Sequence, residues 1–127
     1  MRDIKFRGLT TKGEMIFGSL VVADAHIKHM PKQHTKTWII TSAFGNGGWF
    51  NIRHRQYVKP ETLGQFTGLQ DNNGVNIYEG DIILVEYNYL GKKEVKFING
   101  KFNICDYSTS NCSVIGNIHQ NPELLEK

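Results

Sequence analysis

Turn-forming residues interrupt this chain at short intervals, and in the runs between them apolar residues alternate with polar ones. That alternation is the period of a strand with one face buried. Thr10-Thr11-Lys12-Gly13 separates Ile4 and Phe6 from Met15 and Phe17, which predicts a hairpin with strands over residues 3–9 and 14–22. Residues 23–36 lack a period and contain Pro31, so they read as a loop with one helical turn near residues 23–28. Thr37 to Thr41 is β-branched and aromatic, hence a strand. Phe44-Gly45-Asn46-Gly47-Gly48 breaks it as a loop, and Trp49 to Ile52 forms the returning strand.

After Pro60 the turn signals recur roughly every 8–12 residues, the spacing of a small barrel or sandwich. A strand over 63–69 leads into Asp71-Asn72-Asn73-Gly74, where Asn73-Gly74 is the dipeptide of a type I′ hairpin. Ile77 to Tyr89 reads as a strand interrupted at Glu79-Gly80-Asp81, with the chain turning at Gly91-Lys92-Lys93. Val95 and Phe97 alternate before Asn99-Gly100, a second I′ signal, and Phe102 and Ile104 alternate after it. Ser113 to Ile118 is a last strand. Asn121-Pro122-Glu123 supplies a cap, a proline at the first helical position and an acid in the first turn, which predicts a short C-terminal helix.

The expected fold is mainly β. One domain spans residues 1–127, with an N-terminal β-rich part over 1–60 packed on a small barrel over 61–127. The length of 127 residues suits one domain. A chain of this size buries about two-thirds of the surface its unfolded form exposes, enough for an independent core. No window approaches the roughly 20 apolar residues of a membrane span. The start of the chain lacks the apolar stretch of a secretory leader. The expectation is a cytoplasmic protein with no membrane partner, in which Cys105 and Cys112 stay reduced.

The net charge of +3 is unevenly spread. Residues 1–60 carry ten Lys or Arg against three Asp or Glu, a net +7, and residues 61–127 carry five against nine, a net −4. In the basic part Trp38, Phe44, Trp49, Phe50 and Tyr57 are interleaved with Lys36, Arg53, His54, Arg55 and Lys59. Such a mixture grips single-stranded nucleic acid by phosphate contacts and base stacking, although the same aromatics also suit a core. His26, His29 and His34 lie close together, but their spacing matches no structural zinc pattern, and Asp24 is the one nearby carboxylate. Cys105 and Cys112 flank a loop across which they could meet, and only His119 stands near them to activate a thiol. Glu79 and Asp81, two apart, would share a face if they lay on one strand, as a catalytic pair or a divalent-ion site requires. The competing reading of Tyr78-Glu79-Gly80-Asp81-Ile82 is a turn: Gly80 permits the reversal and Asp81 bonds backbone amides two residues on.

Three stretches together resemble the YopX family of phage and prophage proteins. They are Met1-Arg2-Asp3-Ile4-Lys5-Phe6-Arg7; Gln65 to Gly74 running on through Ile77-Tyr78-Glu79-Gly80-Asp81-Ile82; and Val114-Ile115-Gly116-Asn117-Ile118 with Asn121-Pro122-Glu123-Leu124-Leu125. Residues 20–60 match least. The resemblance implies a phage or prophage protein in a bacterial cytoplasm and an SH3-like barrel in the second half. The family has no established activity, so no catalytic residue, cofactor or metal site carries over.

On the residues alone, a non-catalytic binding module with a protein partner or self-assembly ranks first, because the total charge is small and the acidic second half would repel phosphates. Nucleic-acid binding through Lys36, Trp38, Trp49, Arg53, Arg55 and Lys59 is the alternative. A metal-dependent enzyme using His26, His29 and His34 with an acid is the second alternative.

Overall fold

The computed structural model describes residues 3–25, 34–46, 49–87, 89–104 and 111–125, and they are mainly β. The chain divides into two compact units, residues 5–63 and residues 64–127 with 1–4.

In the first unit each strand pairs antiparallel with the next: β1 (Phe6–Leu9), β2 (Met15–Ala25), β3 (His34–Asn46) and β4 (Trp49–Tyr57). The β1–β2 turn is locally encoded. The Thr10 hydroxyl oxygen accepts the N–H groups of Lys12 and Glu14 at 3.3 and 3.2 Å, and Gly13 takes the left-handed conformation that closes the loop. β2 pairs with β1 as far as Gly18 opposite Phe6, and with β3 from Ser19 opposite Ile40 onward. Gly18 sits at this handover because any Cβ there would land on the Ile40 carbonyl oxygen. After β4 a 3-10 turn spans Pro60–Thr62. The buried Thr62 hydroxyl accepts the Leu9 N–H at 2.8 Å and donates to the Lys59 carbonyl at 2.6 Å, tying the turn to the end of β1. Ile39 and Val58 are fully buried.

Two expectations for this unit change. Residues 23–25 belong to β2 and 34–36 to β3, so the loop is shorter than 23–36 and no helical turn starts at Ala23; residues 26–33 lie outside the described residues. Phe44 and Gly45 continue β3, because β4 pairs with them directly: Phe44 with Asn51, Gly45 with Phe50, Asn46 with Trp49. Ladder bonds on the partner strand offset the weak strand propensity of glycine.

The second unit contains β5 (Gly64–Gln70), β6 (Asn76–Tyr78), β7 (Asp81–Tyr87), β8 (Tyr89–Glu94), β9 (Phe97–Ile98), β10 (Lys101–Phe102) and β11 (Cys112–Asn117). β5 pairs with β6, β7 lies between β11 and β8, and β9 pairs with β10. Ile77, Ile83, Val85, Val95, Phe102, Ile104 and Cys112 form its core.

Asp71 organises the β5–β6 turn. Its Oδ1 accepts the N–H groups of Asn73 and Val75 at 2.8 and 2.9 Å, while Oδ2 reaches across to the Val114 N–H on β11 at 2.9 Å. This turn differs from the I′ expectation: of its residues only Gly74 has positive φ, at 79°. The longer loop with a closing left-handed glycine results, because the carboxylate holds two amides of the loop at once. The I′ expectation holds at Asn99-Gly100, where φ is 54° and 81°. Gly91-Lys92-Lys93 does not turn the chain but lies inside β8, paired with Val85, Leu84 and Ile83 in turn.

Among the described residues the pairings do not close a barrel, so the SH3-like barrel expected over 61–127 is not formed by these strands. The strands fall into separate ladders instead: β5 with β6, β9 with β10, and β7 between β11 and β8, with only two residues each in β9 and β10. The predicted C-terminal helix is a 3-10 turn over Pro122–Leu125. Asn121 does not serve as its forward cap. Its side-chain oxygen turns back to the Asn117 N–H at 3.3 Å, and its carbonyl accepts the Leu124 N–H, the i to i+3 bond of a tighter turn.

Candidate functional site

The exposed side of the first unit's sheet follows from strand register. Val21, Trp38 and Tyr57 stand opposite one another across β2, β3 and β4, and Ser19, Ile40 and Arg55 form the next row. Directly opposed residues share a face. On the other face Thr37 and Ile39 are buried, so the strand period turns Trp38 and Ile40 away from that core. Trp38 and Ile40 are half-buried, whereas Arg55 and Tyr57 are exposed.

The rings here are organised by their charge distribution. The Arg55 guanidinium carbon lies 5.1 Å from the Trp38 ring centroid, over the negative face of the ring. Tyr57 meets Trp38 edge-on, with centroids 5.8 Å apart and planes at 77°. Tyr57 also borders a groove of about 420 Å³, lined with Thr10, Thr11, Lys12, Glu14 and Gln56. Its lining is polar, with hydroxyls, an amide and both signs of charge.

The six residues of the expected patch are spread out. Trp38 and Arg55 come together as described. Lys36 lies on β3 opposite Ala23, two positions before Trp38. Trp49 opens β4 opposite Asn46, eight residues from Tyr57, or roughly 25 Å along an extended strand. Arg53 falls where the β3–β4 register slips between Ser42–His54 and Ala43–Ile52. Lys59 follows β4, its N–H donating to the Leu9 carbonyl at 2.9 Å. The groove residues Lys12 and Gln56 were not visible as site residues, and Tyr57 stood among the interleaved aromatics but outside the six-residue set. The hairpin register contained the missing signal. Counting outward from Asn46 opposite Trp49 brings Trp38 opposite Tyr57.

The other candidates separate. His26 and His29 lie outside the described residues, as does Cys105; His34 opens β3 opposite Ala25. Among the described residues no group of three His, Cys, Asp or Glu is placed to hold a metal ion. Glu79 and Asp81 do not share a strand: Glu79 lies in the turn after β6, and Asp81 starts β7. Asp81 is 1% exposed, and its Oδ2 accepts the Tyr78 N–H at 2.8 Å, three residues back. Gly80, at φ 91°, makes the reversal. Cys112 is buried. Burial pushes its thiol up, the Asp71 carboxylate adds to that, and Lys93 offsets part of it. A thiol held above its ordinary range is a poor nucleophile. Asn117 is likewise structural: its Oδ1 accepts the N–H groups of His119 and Gln120 at 3.0 and 2.9 Å.

The family model described as YopX protein matches residues 5–126. No curated protein matches the chain. Among solved structures, protein EF1440 from Enterococcus faecalis is similar at 30% identity and a TM-score of 0.63, over 99% of this chain and 100% of that one. Among the described residues no helix is long and apolar enough to cross a membrane.

Proposed function

This chain belongs to the YopX family, and from that premise we propose that it is a non-catalytic binding module of a phage or prophage, working in the bacterial cytoplasm. The observation that carries the proposal is the Arg55–Trp38–Tyr57 arrangement on the outer face of β2–β4. Trp, Tyr and Arg are the side chains that dominate binding energy at macromolecular contacts. The residues at the family-like turns, Asp71, Gly80, Asp81, Asn117 and Asn121, have backbone partners or conformational tasks, which supports a scaffold reading for them. Function then resides elsewhere than at these turns, on a surface such as the outer face of β2–β4.

Affinity capture from induced cells, with nuclease-treated and untreated samples compared, tests the reading. Wild type and a Trp38→Ala/Arg55→Ala variant serve as baits. The expected result is a partner, or a self-associated species, retained by wild type and lost by a variant with an unchanged melt. Identical retention by both baits refutes the assignment of this face. The metal-enzyme alternative requires stoichiometric transition metal in protein purified without a histidine tag.

A further inference from the structure

We infer that the Arg55–Trp38–Tyr57 face and its adjoining groove bind single-stranded nucleic acid, a deepening that rests on the binding-module reading above. Charge is the first argument. The unit that carries the face, residues 5–63, has nine Lys or Arg against three Asp or Glu, a net +6. The acids concentrate elsewhere: residues 64–127 with 1–4 have nine Asp or Glu against six Lys or Arg, a net −3. The acids therefore concentrate in the other compact unit, and the unit that carries the face is basic.

Shape and chemistry supply the second argument. A base offers a flat π-face, and Tyr57 and the Arg55 guanidinium are flat partners at an exposed surface, with Trp38 beneath Arg55 fixing its position. Stacking of this kind accepts any base, because every base has such a face. The groove bordered by Tyr57 adds the Thr11 hydroxyl, the Gln56 amide, the Lys12 ammonium and the Glu14 carboxylate, donors and acceptors suited to base edges. Glu14 repels phosphate from the groove, so base or sugar enters it and phosphates lie outside, where Arg55 neutralises them. A duplex presents no open base faces, so the face selects single strands.

Fluorescence anisotropy of the full chain with a labelled oligo-dT of about ten nucleotides tests this, at low and raised salt. Saturable binding is expected, with a log–log salt slope near −0.7 for each phosphate engaged. Tyr57→Ala should weaken binding roughly 5- to 150-fold, whereas Tyr57→Phe, which keeps the ring and guards against a folding artefact, should retain it. Arg55→Ala should weaken binding and flatten the salt slope. Lys101→Ala, on the other unit, should change neither. No anisotropy change at about 0.1 mM protein and low salt overturns the inference. So does binding that Tyr57→Ala and Arg55→Ala leave intact. If oligonucleotide fails to bind but the same variants abolish self-association or a nuclease-resistant protein partner, the nucleic-acid inference falls and the binding-module reading survives. If neither changes, both fall.

Discussion

Asp71→Asn isolates one bond that joins a local turn to a distant strand. In the wild type the carboxylate accepts three backbone N–H groups: Asn73 and Val75 in the turn, and Val114 on β11, 43 residues away. The side chain is 7% exposed. An asparagine oxygen can still serve the turn, but its NH₂ then points at the Val114 N–H, donor against donor. Asn73 and Val75 are exposed, so water can take over what the turn loses. The Val114 N–H, on a half-buried residue of another strand, is less readily rehydrated. A hydrogen bond to a charged group contributes about 1.5–3 kcal/mol, and weakened turn bonds add a fraction more, so the substitution should cost about 2–3 kcal/mol. In urea that moves the midpoint by about 1–2 M for a slope near 1.5 kcal/mol/M, read on the transition of the unit that contains Asp71. Glu123→Gln, at an exposed acid, should stay within about 0.5 kcal/mol of wild type. The effect has a pH signature. Burial pushes the Asp71 carboxyl up, but the donors at Val114, Val75 and Asn73 together outweigh it and hold the group below its ordinary value of 3.8. A depressed folded pKa stabilises the protein fully above the unfolded value and loses that contribution as pH falls through the folded one. The gap between wild type and Asp71→Asn should hold from neutral pH to about 5 and narrow below about 4. A gap under about 0.5 kcal/mol at pH 7, or one unchanged in acid, refutes the reasoning.

Gly80→Val forces a β-branched side chain into a backbone at φ 91° and should cost roughly 1–3 kcal/mol; a wild-type melt contradicts the turn assignment. Gly18→Ala should destabilise the first unit by about 1–3 kcal/mol in denaturant, since its methyl would collide with backbone and not with a yielding side chain. In a Cys105→Ser variant, Cys112 should react with an aromatic disulfide at pH 8 only as fast as the protein opens; immediate labelling shows the thiol to be accessible.

The turns were legible because their information is contiguous. Thr10 with Gly13, Asn99 with Gly100, and Gly80 before Asp81 act over a few residues, and the structure places a reversal at each. Errors arose where a second partner competed with the signal of the local motif. Asn73-Gly74 has the I′ dipeptide, yet the Asp71 carboxylate draws the loop into another geometry. Asn121-Pro122 looks like a helix start, yet Asn121 is engaged by Asn117 behind it. Gly45 looks like a break, yet Phe50 stands opposite and extends the ladder.

Composition and alternation by themselves determined a mainly β chain with a basic first part and an acidic second part, because charge and period are properties of consecutive residues. Which basic and aromatic residues meet was decided by pairing alone. Trp38 finds Arg55 and Tyr57, while Trp49 stands far along the same hairpin, because neighbours in a sheet are set by register between strands. Thr37 and Ile39 are buried while Trp38 and Ile40 between them are only half-buried for the same reason: a strand gives its two sides identical local chemistry, and only what packs against it tells them apart.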